Sequence, residues 1–216
     1  MYLKSEKYDI AESVLQEYIN EEGKTGTVLT NLAKIYEARG EHEKSLSTLW
    51  EGLELDPNQE NGLAWWLGIQ REQRGEEAFE EILKEACAIK DSYLPQLYLA
   101  REYLKQERKD EAIEIYESVL EKYGTVDQVL FMMSGDMGQA GLIQEMLQYV
   151  VPRYIIEKND VRIGVNLIQG FIATKNVVDG QKLIARLMRL NRPEIRPVLL
   201  QMADQLDVIK AESSGP

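Results

Sequence analysis

The chain repeats itself about every 34 residues, and that period restricts the fold more than any other property of the sequence. One marker set, mostly small residues, falls at Ala11, Ser45, Ala78, Ala112, Met146 and Gly180, at intervals of 34, 33, 34, 34 and 34. An aromatic set falls at Tyr2, Tyr36, Tyr103 and Phe171, at intervals of 34, 67 and 68, which is one, two and two periods. Two markers of different chemistry keep one phase through nearly the whole chain. A fixed period of this length is what stacked helix pairs leave in a sequence. One pair cannot bury its apolar face alone, so the pairs must stack.

Inside one period the pattern is helical. Leu29, Leu32, Ala33, Ile35 and Tyr36 recur at the 3–4 spacing of an amphipathic helix, as do Ser45, Leu46, Leu49, Trp50 and Leu53. Gly40 separates the two runs, where a helix C-terminus favours glycine. Asp56-Pro57-Asn58 closes the second run, because proline cannot continue a helix. No alternating strand pattern has comparable strength anywhere in the chain.

These residues resemble the tetratricopeptide repeat, whose pattern runs Trp-x2-Leu-Gly-x2-Tyr, then Ala-x3-Phe, then Pro. In 26–59 the matching positions are Leu29, Leu32, Ala33, Tyr36, Ser45, Leu49, Gly52 and Pro57. In 93–126 they are Leu99, Ala100, Tyr103, Ala112, Tyr116 and Val119, with Gln96 in place of the expected aromatic and Gly124 in place of the proline. In 161–194 they are Leu167, Ile168, Phe171, Gly180, Ile184 and Leu187. The repeats 60–92 and 127–160 keep the phase with weaker identity; Gln70 replaces the aromatic in the former.

The resemblance implies an all-α, right-handed superhelical solenoid of antiparallel helix pairs, with about 12 helices. The expected order is a half repeat over 1–25, repeats at 26–59, 60–92, 93–126, 127–160 and 161–194, a capping helix over 195–210 and a flexible tail over 211–216. By phase, Met1 falls about ten positions into a repeat, so the chain reads either as a portion of a longer repeat protein or as one that opens on a lone capping helix.

Composition limits the chemistry. Cys87 is the only cysteine and His42 the only histidine, so neither a cysteine-based zinc site nor a paired Cys/His nucleophile is expected. No phosphate loop or dinucleotide fingerprint occurs. Neither a cofactor nor a metal is expected, and acidic pairs such as Glu76-Glu77 and Asp110-Glu111 read as first-turn residues favoured by the helix dipole. Without an apolar run of membrane length or a signal-like N-terminus, a soluble cytoplasmic chain is expected.

The formal net charge of −12 is unevenly spread. Residues 1–127 carry 15 basic and 28 acidic side chains, whereas 128–216 carry 10 and 9. This disfavours nucleic acid as a partner, above all for the first half. A basic stripe occurs late, at Lys182, Arg186 and Arg189, followed by Arg192 and Arg196.

The function implied by the resemblance is a non-enzymatic scaffold that binds a peptide or helical segment of another protein in its concave groove. Carried over by phase, first-helix positions facing that groove include Thr30, Lys34, Arg71, Leu94, Leu97, Arg101, Leu104, Phe131 and Arg162. Trp65 joins them, since adjacent Trp65 and Trp66 cannot face the same way on a helix. An apolar centre spaced with Lys and Arg suits a partner bearing apolar and acidic side chains. The carboxylate clamp of some family members is not expected, because Thr30 and Lys34 hold the places of its Lys and Asn. Two alternatives stand beside the scaffold: a self-assembling repeat module, and the non-catalytic repeat arm of a longer enzyme such as a transferase.

Overall fold

The computed structural model describes residues 7–213, so the Tyr2 marker and Ser214–Pro216 of the tail lie outside them. Twelve α-helices and no strand occur among the described residues. A lone helix α1 (Tyr8–Glu22) comes first. Five pairs follow: α2 (Gly26–Ala38) with α3 (His42–Leu55), α4 (Glu60–Arg74) with α5 (Phe79–Cys87), α6 (Leu94–Lys105) with α7 (Lys109–Tyr123), α8 (Asp127–Gln139) with α9 (Ile143–Val150), and α10 (Val161–Ala173) with α11 (Val177–Met188). A final helix α12 spans Arg196–Ser213.

The repeat is visible in the backbone itself. First helices of the pairs start at Gly26, Glu60, Leu94, Asp127 and Val161, at intervals of 34, 34, 33 and 34. The turn inside each pair places one residue in the left-handed region, at Gly40, Gly75, Glu107, Gly141 and Lys175. Glycine adopts that conformation freely; Glu107 and Lys175 hold it at φ 61° and 56° against a steric cost. The architecture is an all-α, tetratricopeptide-like array of helix pairs, established by this spacing and by which residues it buries.

The chain forms two compact units, residues 1–102 and 103–216. In the first unit, α2 and α3 pack closely because small groups line their contact. The Ser45 hydroxyl is buried and donates to the Ala33 carbonyl at 3.0 Å. A Cβ on Gly26 would lie 2.8 Å from the Gly52 carbonyl oxygen and 2.7 Å from Asp56 Cβ, so only glycine fits at Gly26. Leu29, Leu49, Leu53 and Leu63 are fully buried around this contact. Asn58 ties one repeat to the next. Its side-chain oxygen accepts from the Tyr93 and Leu94 amides at 2.7 and 2.9 Å, satisfying orphan donors at the start of α6, and its amide donates to the Asp91 carbonyl at 2.9 Å.

In the second unit, buried Tyr116 donates its hydroxyl to Asp136 at 3.1 Å. Helix α12 covers α11, with Leu206 set against the bare Cα of Gly180. Two helix starts carry their own caps: Asp160 accepts from the Arg162 amide at 2.9 Å, and Asn176 accepts from the Asp179 amide at 3.3 Å.

Candidate functional site

An open hollow in the second unit lies beside a second helix that ends early. Second helices α3, α7 and α11 span 14, 15 and 12 residues, α5 spans 9 after a 3-10 turn, and α9 stops after 8. Pro152 explains the stop. It lacks the N–H that would bond to the Gln148 carbonyl, so the helical ladder cannot continue through it. The Arg153 and Tyr154 amides instead both turn back onto the Val150 carbonyl, each at 3.0 Å. The Arg153 guanidinium donates to the Tyr149 carbonyl at 2.8 Å, capping the shortened helix. Asn159 then fixes the following loop: it accepts from the Ile155 amide at 2.7 Å and donates to Asp127 at 2.6 Å.

The missing turns leave a groove of about 870 Å³ between α9, α10 and α11. Its floor is apolar: Leu147 and Val151 from α9 and its end, Tyr154 and Ile156 from the loop, Leu167 and Phe171 from α10, and Leu183 from α11. The Tyr154 hydroxyl is buried against Gly164, where an added Cβ would be only 2.7 Å away. Burial, aided by nearby Asp160, pushes that phenol up to about 12, so it stays neutral and behaves as part of the floor.

One rim of the groove is cationic. Lys182, Arg186 and Arg189 stand at i, i+4 and i+7 on α11, on one face. Lys182 lies 3.5 Å from Asp179, and Arg186 lies 3.5 Å from Glu157. Pairs this long and this exposed hold their charges weakly. Arg189 has no ion-pair partner among the described residues.

A smaller hollow of about 470 Å³ occupies the matching place in the first unit, bounded by α3, α4 and α5. There Trp50 and Trp66 lie against each other with centroids 4.8 Å apart and rings tilted by 42°, and Glu43 and Glu85 supply an acidic edge. Three periods, 101 residues, separate His42 from Ile143 at the starts of α3 and α9. The same step takes Trp50 to Val151, Trp66 to Leu167 and Gln70 to Phe171.

The residues expected to line a concave groove fare differently. Leu94 and Leu97 are 0% exposed and Leu104 is 7% exposed, so these three are core and offer no open apolar surface. Thr30 is also buried, with its hydroxyl donating to Gln59 Oε1 at 2.7 Å. These four expectations are corrected: the phase positions that face a groove in the resembled family are filled here by side chains large enough, or sufficiently bonded, to pack inward.

The other six keep some exposure. Lys34 is half-buried with no ion-pair partner among the described residues. Trp65 is half-buried next to buried Trp66. Arg71 is bound by the Glu76 carboxylate and lies 4.8 Å from the Phe79 ring. Arg101 lies 5.4 Å from the Tyr98 ring. In the second unit, Phe131 is half-buried under the Arg162 guanidinium, 4.3 Å from its ring centroid. Arg162 also binds Asp160 at 2.6 Å and holds that carboxyl below its usual range.

No three His, Cys, Asp or Glu side chains converge to hold a metal among the described residues. Exposed His42 lies 2.9 Å from Glu37. Burial pushes the Cys87 thiol up to about 12, so it remains a thiol at neutral pH. No helix among the described residues is long and apolar enough to cross a membrane.

The basic stripe is visible in the sequence, whereas the groove beneath it is signalled only by Pro152 and by the small Val151 in phase with Trp50.

No family model and no curated protein sequence matches the chain. Among solved structures, it is similar to a chain described as the TPR2AB-domain:pHSP90-complex of yeast Sti1, at 13% identity and a TM-score of 0.37, with 95% of this chain and 94% of that chain covered. A superposition this loose adds nothing to the helix spacing and burial described above.

Proposed function

We propose that this protein is a non-enzymatic interaction scaffold that holds an apolar, acidic helix or peptide of another protein. The observation that carries this reading is the groove between α9, α10 and α11, an apolar floor bordered by Lys182, Arg186 and Arg189. Its size falls within the range of ligand sites, and its floor can desolvate the apolar face of a helix while the rim pairs with carboxylates. The mechanism is equilibrium binding, with affinity from the floor and orientation from the rim. The lone histidine and the protonated, half-buried cysteine fit a role without covalent chemistry.

The test uses a fluorescein-labelled helical peptide with Leu at i, i+4 and i+8 and Glu at flanking positions. Anisotropy should report binding to the 216-residue chain. Val151→Trp, which fills the floor as Trp50 fills its own hollow, should weaken binding about tenfold or more, and Arg186→Glu should do so by a similar factor, with helicity by circular dichroism unchanged. Equal binding by parent and both variants defeats the reading.

A further inference from the structure

A helix with the chemistry that this groove selects lies in the same chain. Helix α1 carries Asp9, Glu12, Glu17, Glu21 and Glu22, with no Lys or Arg between Tyr8 and Glu22. Its inner side packs Leu15 and Ile19 against Leu29, Leu32 and Tyr36. Its outer side is apolar too. Ile10, Val14 and Tyr18 follow at i, i+4 and i+8 and are 49%, 51% and 44% exposed. A contiguous exposed stripe of this kind marks an interaction surface. Glu17 and Glu21, each three residues beyond a member of the stripe, share its face, and neither has a partner among the described residues.

We infer that the groove between α9, α10 and α11 receives helix α1 of a second copy of this chain. The inference rests on the reading of the groove as a site for an acidic apolar helix, and it names that helix. The two surfaces agree in pattern and sign. Three apolar side chains on one helical stripe meet an apolar floor, and Glu17 and Glu21 meet Lys182, Arg186 and Arg189. The contact joins different patches on the two copies, so it is heterologous and builds a ring or an open chain of subunits. Both charge sets are exposed, so added salt weakens the association.

Sedimentation velocity of the 216-residue chain over a concentration series, at low and high salt, tests this. The mass of the parent should rise with concentration and fall with salt. Arg186→Glu with Arg189→Glu, and separately Glu17→Lys with Glu21→Lys, should each weaken self-association about tenfold or more while leaving helicity unchanged. Mixing the two variants should restore association, because the reversed helix of one then matches the reversed groove of the other. A parent that stays monomeric, variants that associate like the parent, or a mixture that does not recover overturns the inference. The labelled Leu/Glu peptide separates the two readings. If it binds the groove while the chain stays monomeric, the groove reading stands and the occupant is wrong; if the peptide also fails to bind, both fall.

Discussion

Between α3 and α5 in the first unit, Trp50 and Trp66 lie against each other and line the hollow; between α9 and α11 in the second unit, Val151 and Leu167 stand at the same phase beside a wider groove. The helices at equivalent phase differ in length, 14 residues in α3 and 8 in α9. The open groove therefore has two sources: an early helix end, and smaller side chains set three periods from the two Trp residues in the sequence. Charge follows the same division: Glu43 and Glu85 edge the filled hollow, whereas Lys182, Arg186 and Arg189 edge the open one.

The largest expected effect probes how tightly each repeat is closed. Gly26→Val should destabilise the chain by about 3 kcal/mol in urea denaturation, since its Cβ would strike the Gly52 carbonyl at 2.8 Å. In repeat 127–160 the sign reverses. A Cβ on Gly135 would meet nothing closer than 4.0 Å, so Gly135→Ala should stabilise by about 0.5–1 kcal/mol through helix propensity. Equal responses at the two glycines would break the contrast between a closed and an open repeat.

The next effect addresses the hollows directly. Trp50→Val should cost about 2 kcal/mol, because it removes the ring that packs against Trp66 and the indole donor to Glu54 at 3.0 Å. A melting temperature equal to that of the parent would mean that Trp50 does not support the first hollow.

The smallest effect separates the electrostatics of the same two repeats. Arg39 binds Glu12 and Asp9 of α1, and the Tyr36 hydroxyl donates to Glu12 at 3.0 Å. The Arg39 hydrogen bond, outweighing burial, holds the Glu12 carboxyl below its ordinary 4.5. A depressed carboxylate contributes stability that is present above its unfolded value and lost as pH falls through the folded one. Glu12→Gln should therefore flatten the acid limb of the stability curve below about pH 4.5 and leave its slope near neutrality unchanged. Repeat 127–160 has Ala140 at the phase of Arg39, so it lacks this ion pair; the depressed carboxyl of that repeat is Asp160, held by Arg162. An unchanged acid limb in the variant would mean that the Glu12–Arg39 pair does not contribute to acid stability.

Much of the architecture was legible in the residues. The marker series from Ala11 to Gly180 anticipated the order of helices, and the glycines at 40, 75 and 141 mark turns that lie in the left-handed region. The candidate site was less legible. The phase of Leu94, Leu97 and Leu104 matches groove positions of the resembled family, yet all three are buried; phase assigns a direction on a helix, but burial also depends on what packs over it. The groove beside α9 is hard to see in a sequence because a cavity is made by what is missing: the helix turns that end before Pro152, and the bulk that Val151 lacks beside the Trp at its equivalent position.

Pro152 has a consequence for how such a protein changes over generations. A surface defined by the end of one helix is not distributed over many residues. A single replacement that returned the N–H at position 152 would let α9 run on and begin to cover the floor of its own groove. The repeat phase, the core and the neighbouring pairs would stay as they are. Arrays of this kind can thus gain or lose a docking site by one point change in a loop, while the positions that maintain the fold remain under their own separate constraint.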